Sequence, residues 1–153
     1  MILIILSVLI GIVAGLRAMT APAAVAVGAR YGAIAVAGTP LAFMGYTWTP
    51  WIFCALAIVE LFTDKLPATP SRKVPMQFGS RVLTGALSGA TLAAPQGSLI
   101  AGLIAGIIGA VIGTLSGAAL RTRLAATFGK DRPAALIEDI VAIGAAALIV
   151  FAH

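Results

Sequence analysis

The sequence predicts an all-α fold, a polytopic transmembrane bundle of about six short helices forming a single integral-membrane domain over residues 1–153. Three observations predict it. First, 61% of the residues are hydrophobic and 10% are charged, whereas a soluble domain carries about 25% charged residues because its surface faces water. Second, residues 1–16 and 98–120 have no charged side chain, and residues 134–152 are apolar apart from Glu138 and Asp139. In hydrocarbon such runs must satisfy their own backbone groups, which selects helices. Third, the ten Lys and Arg residues, an excess of +5 over five Asp and Glu, fall in short segments between apolar runs. That distribution is one of membrane topology, so no nucleic-acid partner is expected.

The first helix is expected over residues 3–17. A signal peptide would carry basic residues before its apolar run, but the first one here, Arg17, follows it. The segment therefore reads as a retained membrane helix. Thr20 and Pro22 interrupt the chain, and a second helix is expected over 22–37 with Arg30 inside it. Its modest length also fits a re-entrant segment, which would leave an odd number of crossings. Gly38, Thr39 and Pro40, followed by Tyr46, Trp48 and Trp51, form an interfacial connection, the level at which Trp and Tyr rings partition.

A third helix follows over 50–63, and residues 64–78 are expected to be nonhelical because Pro67, Pro70 and Pro75 interrupt them. The fourth helix covers 80–94, Pro95-Gln96-Gly97 turns the chain, and the fifth covers 98–120. At about 1.5 Å per residue that fifth run is long enough for a hydrocarbon core of about 30 Å. Residues 121–133 form a second basic connection before a sixth helix over 134–151. With both termini outside, the 64–78 and 121–133 segments lie inside together, as the positive-inside rule requires.

Gly102, Gly106, Gly109, Gly113 and Gly117 share one face of the fifth helix at about 100° per residue. A row of missing side chains admits a second backbone, within the chain or across a homo-oligomer. Gly11/Gly15, Gly28/Gly32 and Gly85/Gly89 repeat the four-residue spacing. An internal echo links Gly15-Leu16-Arg17-Ala18-Met19-Thr20 to Gly79-Ser80-Arg81-Val82-Leu83-Thr84. With Glu60 and Glu138 later in each half, it permits pseudo-repeat halves, 1–64 and 79–153, of the inverted kind used by transporters.

Charge inside hydrocarbon is expensive, so Arg17, Arg30, Glu60, Asp64, Arg81, Glu138 and Asp139 are the candidate polar or substrate-site residues. Arg17 sits where it can snorkel to headgroups. Glu60 and Asp64, four residues apart, share a helix face and could hold a proton or cation, or mark a solvated helix boundary paired with Lys65. Glu138 and Asp139 suit the amide-rich start of the last helix, with Asp139 as a surface charge near the cap and Glu138 turned toward an arginine in the bundle. Glu60, Arg81 and Glu138 could frame a polar cavity on the inner side.

Thr20, Thr63, Thr84 and Ser88 read as structural hydroxyls. Cys54 is the single cysteine, and His153, the single histidine, ends the chain. No catalytic residue, cofactor or metal site is expected, since the nucleophile-elbow, phosphate-loop, HExxH and dinucleotide patterns are all missing from the sequence.

The segments Gly15-Leu16-Arg17-Ala18-Met19-Thr20-Ala21-Pro22, Glu60-Leu61-Phe62-Thr63-Asp64-Lys65-Leu66-Pro67 and Pro70-Ser71-Arg72, with the later Glu138-Asp139 pair, resemble a family of small uncharacterised bacterial integral-membrane proteins with a proline-rich basic loop. The resemblance runs from about residue 11 to residue 147. It implies a multi-pass protein of the bacterial inner membrane in contact with membrane lipids, and it transfers no activity. Three functions stay open: a small transporter or permeation protein for an ion or small solute, a membrane scaffold binding lipids or a partner, and a lipid-modifying enzyme using Glu60, Asp64 or Glu138.

Overall fold

The computed structural model describes residues 1–66 and 74–153. Six α-helices account for most of them: α1 (Ile2–Leu16), α2 (Thr20–Arg30), α3 (Thr49–Thr63), α4 (Pro75–Ala93), α5 (Leu99–Phe128) and α6 (Asp131–Phe151). Short 3₁₀ turns at Ala42–Gly45 and Ala94–Gln96 complete the path. The all-α bundle is as expected. α5 and α6 are each long and apolar enough to cross a membrane, while α1 and α3 are shorter apolar helices.

Helix ends depart from the sequence reading in three places. α4 starts at Pro75 rather than residue 80, because a proline in the first turn needs no amide partner and is already at a helical φ. α5 continues through Arg121 and Arg123 to Phe128, so the expected basic connection shrinks to Gly129-Lys130. Arginine is a good helix former, and the stop comes only at Gly129, whose φ of 68° favours a residue without a side chain. α2 stops at Arg30 instead of continuing to residue 37. Ala33 and Ile34 turn back to donate to the Gly28 carbonyl, and Ile34 and Val36 enter the core. Eleven residues give α2 about 16 Å, half a hydrocarbon thickness. The expected prolines at 67 and 70 lie outside the described residues.

α1, α4 and α5 pack most closely. Glycine makes this trio. A methyl group on Gly106 would strike the Gly85 carbonyl, one on Gly102 the Gly89 carbonyl, one on Gly109 that of Val8 and one on Gly113 that of Ile12. Gly117 continues the same buried face. The glycine row of α5 is therefore occupied within the chain, by α4 on one side and α1 on the other. α6 lies against α5, α1 and α2, and the core between them holds Ile10, Val13, Val25, Leu92 and Ile149.

α3 is different. It packs chiefly on α2 and the Ala42–Gly45 turn, and Pro50 is its one buried residue. His153 pins the far end of α6, its ring nitrogens reaching the carbonyls of Ala33 at 3.2 Å and Leu92 at 2.8 Å.

Candidate functional site

All five carboxylates of the chain collect at one end of the bundle, each within reach of a cation. The layer is built where helix ends meet. α1 runs into it and stops, leaving carbonyls without amide partners. Arg81, from α4, donates through Nη1 to the carbonyls of Gly15 at 2.9 Å and Leu16 at 2.7 Å. The next chain segment presents free amides instead, and Glu60 from α3 accepts them: Ala18 N–H at 2.8 Å and Met19 N–H at 2.9 Å. A cation thus sits on the carbonyl end of α1 and an anion on the amide end of α2, as each helix dipole favours. Arg81 and Glu60 also face each other at 3.8 Å.

Arg17, the residue between those two helix ends, bridges Asp64 of α3 and Asp139 of α6. Lys65 closes on the other Asp139 oxygen at 3.1 Å, and Arg81 approaches Asp64 at 3.9 Å. Beside this group Arg121 holds Asp131 with two parallel bonds of 2.9 and 2.6 Å and reaches Glu138 at 3.5 Å. α1, α3, α4, α5 and α6 supply side chains, and the start of α2 supplies its amide end.

Burial makes these contacts consequential. Arg17 is 0% exposed and Arg81 1%. Arg81 lies six residues into α4 and Asp139 eight residues into α6, which puts them about 9 and 12 Å from those helix starts. Ions at that depth require partners, because removing one member of a buried pair costs about 3–5 kcal/mol. Arg17 even keeps its buried Nε without a hydrogen-bond partner among the described residues.

Against the layer lies an open groove of about 500 Å³, whose polar wall consists of Glu60, Asp64, Thr63, Gln77 and Ser80. The arginines stand behind that wall and do not line it.

Of the residues singled out from sequence, the structure joins Arg17, Glu60, Asp64, Arg81 and Asp139 directly. Glu138 enters through Arg121, and its wall belongs to a separate small cavity with Leu16 and Gly117. Arg30 is not part of the layer: it ends α2 on the opposite side of the bundle and is exposed. Lys65, expected to pair with the neighbouring Glu60 and Asp64, pairs with Asp139 instead, and Arg121, expected in a loop, proves to be a partner of Asp131 and Glu138. For Arg121 the signal was present in Asp131, ten residues on, across a connection of two residues. Thr84 and Ser88 bond back to carbonyls of α4, as structural hydroxyls do. Of the two arginines in the Gly-x-Arg-x-x-Thr echo, Arg17 caps α1 and Arg81 lies in the second turn of α4.

A family model describes nearly this whole architecture: Domain of unknown function (DUF4126), matched over residues 4–152. The chain belongs to the DUF4126 family. No curated protein and no solved structure matches the chain. In this DUF4126 chain the matched region takes in every residue of the ion-pair layer.

Proposed function

We propose that the chain is a multi-pass membrane protein whose ion-pair layer and adjoining groove bind a small ionic solute for permeation. The carrying observation is the convergence of fully buried Arg17 and Arg81 with Glu60, Asp64 and Asp139 beside the open groove. Buried charge of both signs is costly in an apolar surrounding, which favours a function that uses it. An incoming cation has Glu60 and Asp64 on the groove wall; an incoming anion has Arg17, with its unmatched Nε, behind Asp64. Either would exchange partners with the existing pairs.

The membrane part of the reading rests on the outer surface and on the two ends. Ile58, Val59, Leu83, Ile100, Ile140 and Leu148 are among the large side chains left exposed, a belt suited to lipid. Both Trp and both Tyr residues of the chain are exposed between residues 31 and 51, at the end opposite the carboxylates. Of the eight Lys and Arg residues among the described ones, only Arg30 lies at that aromatic end. The layer meets α1, α3 and α5 toward their C-termini and α2, α4 and α6 toward their N-termini, so successive helices alternate in direction. This supports the basic end inside and both termini outside, with α2 and residues 31–41 together filling one crossing.

A scaffold acting through a glycine-mediated homo-oligomer has less support, because the α5 glycines already receive α1 and α4. The test is flux of a panel of ions and small solutes into proteoliposomes, with thermal shifts on the same panel. Flux or a ligand shift should fall at least about tenfold in Glu60→Gln and Asp64→Asn, the effect of about 1.4 kcal/mol at a binding step, while the variants stay folded. Wild-type flux that both variants retain in full would remove the site from the pathway. A panel with neither flux nor shift would turn the assignment toward the scaffold.

A further inference from the structure

Among the described Lys and Arg residues, Arg30 is the one at the aromatic end, away from the ion-pair layer. It ends α2 at the aromatic end and is exposed. Beside it α3 stands away from α6, and an apolar groove of about 400 Å³ opens between α2, α3 and α6, walled by Ala23, Val27, Cys54, Leu61, Ile143 and Val150. Thr20 supplies its one hydroxyl. The groove follows α2 from Thr20 to Val27 and α3 from Leu61 to Cys54, about 10 Å along each helix.

Val27 and Cys54 also line a second cavity of about 200 Å³, whose remaining walls include Arg30, Tyr31, Thr47 and Trp51. The two spaces adjoin at Val27 and Cys54. A slot with almost no polar group adjoins a mouth with a guanidinium, the Thr47 and Tyr31 hydroxyls and two aromatic rings.

We propose that this is a binding site for an anionic phospholipid, with one acyl chain in the slot and the phosphate on Arg30. The inference rests on the membrane reading above and is independent of the permeation site. Charge complementarity commits the occupant. A guanidinium matches a phosphate with two parallel hydrogen bonds, and Tyr31 and Trp51 set the mouth at headgroup level. The slot itself offers a polar solute nothing to bond to, while its length and lining suit an alkyl chain. Among the described residues Arg30 makes no ion pair, and α3, with one buried residue, leaves the slot open along its side.

Cys54 makes the test direct, because it is the only cysteine and lines both spaces. Its alkylation by a small maleimide is followed in the detergent-purified full chain as lipid is added. Phosphatidylglycerol should half-protect Cys54 at about a tenfold lower concentration than phosphatidylcholine of the same chains, the effect of one charge-assisted contact. Arg30→Gln should bring phosphatidylglycerol to the phosphatidylcholine value, and Ala147→Phe, which fills the slot from an exposed wall position, should abolish protection by both.

Equal protection by the two lipids in wild type and in Arg30→Gln would overturn the anionic site. Protection by inorganic phosphate alone would overturn the lipid assignment in favour of a free anion. Alkaline carbonate extraction of native membranes separates this proposal from its premise. A chain that stays in the membrane pellet but gains no protection overturns the lipid site alone. A chain released by carbonate overturns the membrane reading and the lipid site together.

Discussion

Arg17 is held by two aspartates from different helices, and each aspartate has a second cation nearby, Arg81 for Asp64 and Lys65 for Asp139. Replacing Arg17 with Gln leaves Asp64 and Asp139 facing one another's surroundings with less positive charge between them. The expected loss is about 3–5 kcal/mol of stability, the cost of stranding buried ions, read as a fall in detergent melting temperature. Arg17→Lys should recover only part of it, since one ammonium does not reproduce the guanidinium fork. Equal stability of wild type and Arg17→Gln would mean that water already solvates the layer. Sequence alone placed Arg17 at a helix end, where snorkelling to headgroups is the ordinary outcome. Its burial is decided by α3 and α6, elements 47 and more residues away in the chain, and no local pattern carries that information. The carboxylate pair at 60 and 64 was more legible, because four-residue spacing fixes a common face whatever packs on it.

At the scale of elements, α5 joins α1 to α4 through backbone contacts that only glycine permits. Gly109→Leu should therefore separate α5 from α1 by overpacking, a penalty of about 1–3 kcal/mol or more. Gly144→Leu on α6 should change little, since a side chain there meets open space. Thermal stability of the two variants in the same detergent checks the contrast, and indistinguishable values would remove the glycine face as the main seam. This face was readable from spacing because close packing in an apolar medium demands small residues at helical periods. Helix ends were less readable. The sequence pattern puts Pro75 and Arg121 in connections, yet Pro75 opens α4 and Arg121 lies inside α5. Proline and arginine are both compatible with a helix at those positions, and the ends are set elsewhere, by Gly129 and by Arg121's grip on Asp131. Arg30 moved from inside a helix to its exposed end for a tertiary reason: Ile34 and Val36 leave the helical path to fill the core.

The whole molecule has two unlike ends, carboxylates and basic residues at one, Trp and Tyr at the other. Its polarity predicts sidedness. In a Cys54→Ser background, single cysteines at Lys130 and at Gln96 should label from opposite sides of the membrane, Lys130 from the cytoplasm and Gln96 from outside intact cells. Labelling of both from one side would discard the alternating path. The six-helix count was accessible from the sequence because apolar length is a local property. The ion-pair layer was accessible only as a set of separate candidates, because its partners come from both halves of the chain.

That division between the halves has a consequence for how the protein is made. α3 has few apolar contacts inside the bundle; its carboxylates pair with Arg17 and Arg81, from elements that precede and follow it, while Lys65 just beyond it pairs with Asp139 of α6. During synthesis Asp64 follows its partner Arg17 and Glu60 awaits Arg81, while Asp139 is among the last groups to arrive. The layer therefore acts as a latch closed by the final helix. Until α6 is in place Arg17 and Lys65 lack Asp139, and a nascent chain stalled before residue 131 carries an unfinished electrostatic junction.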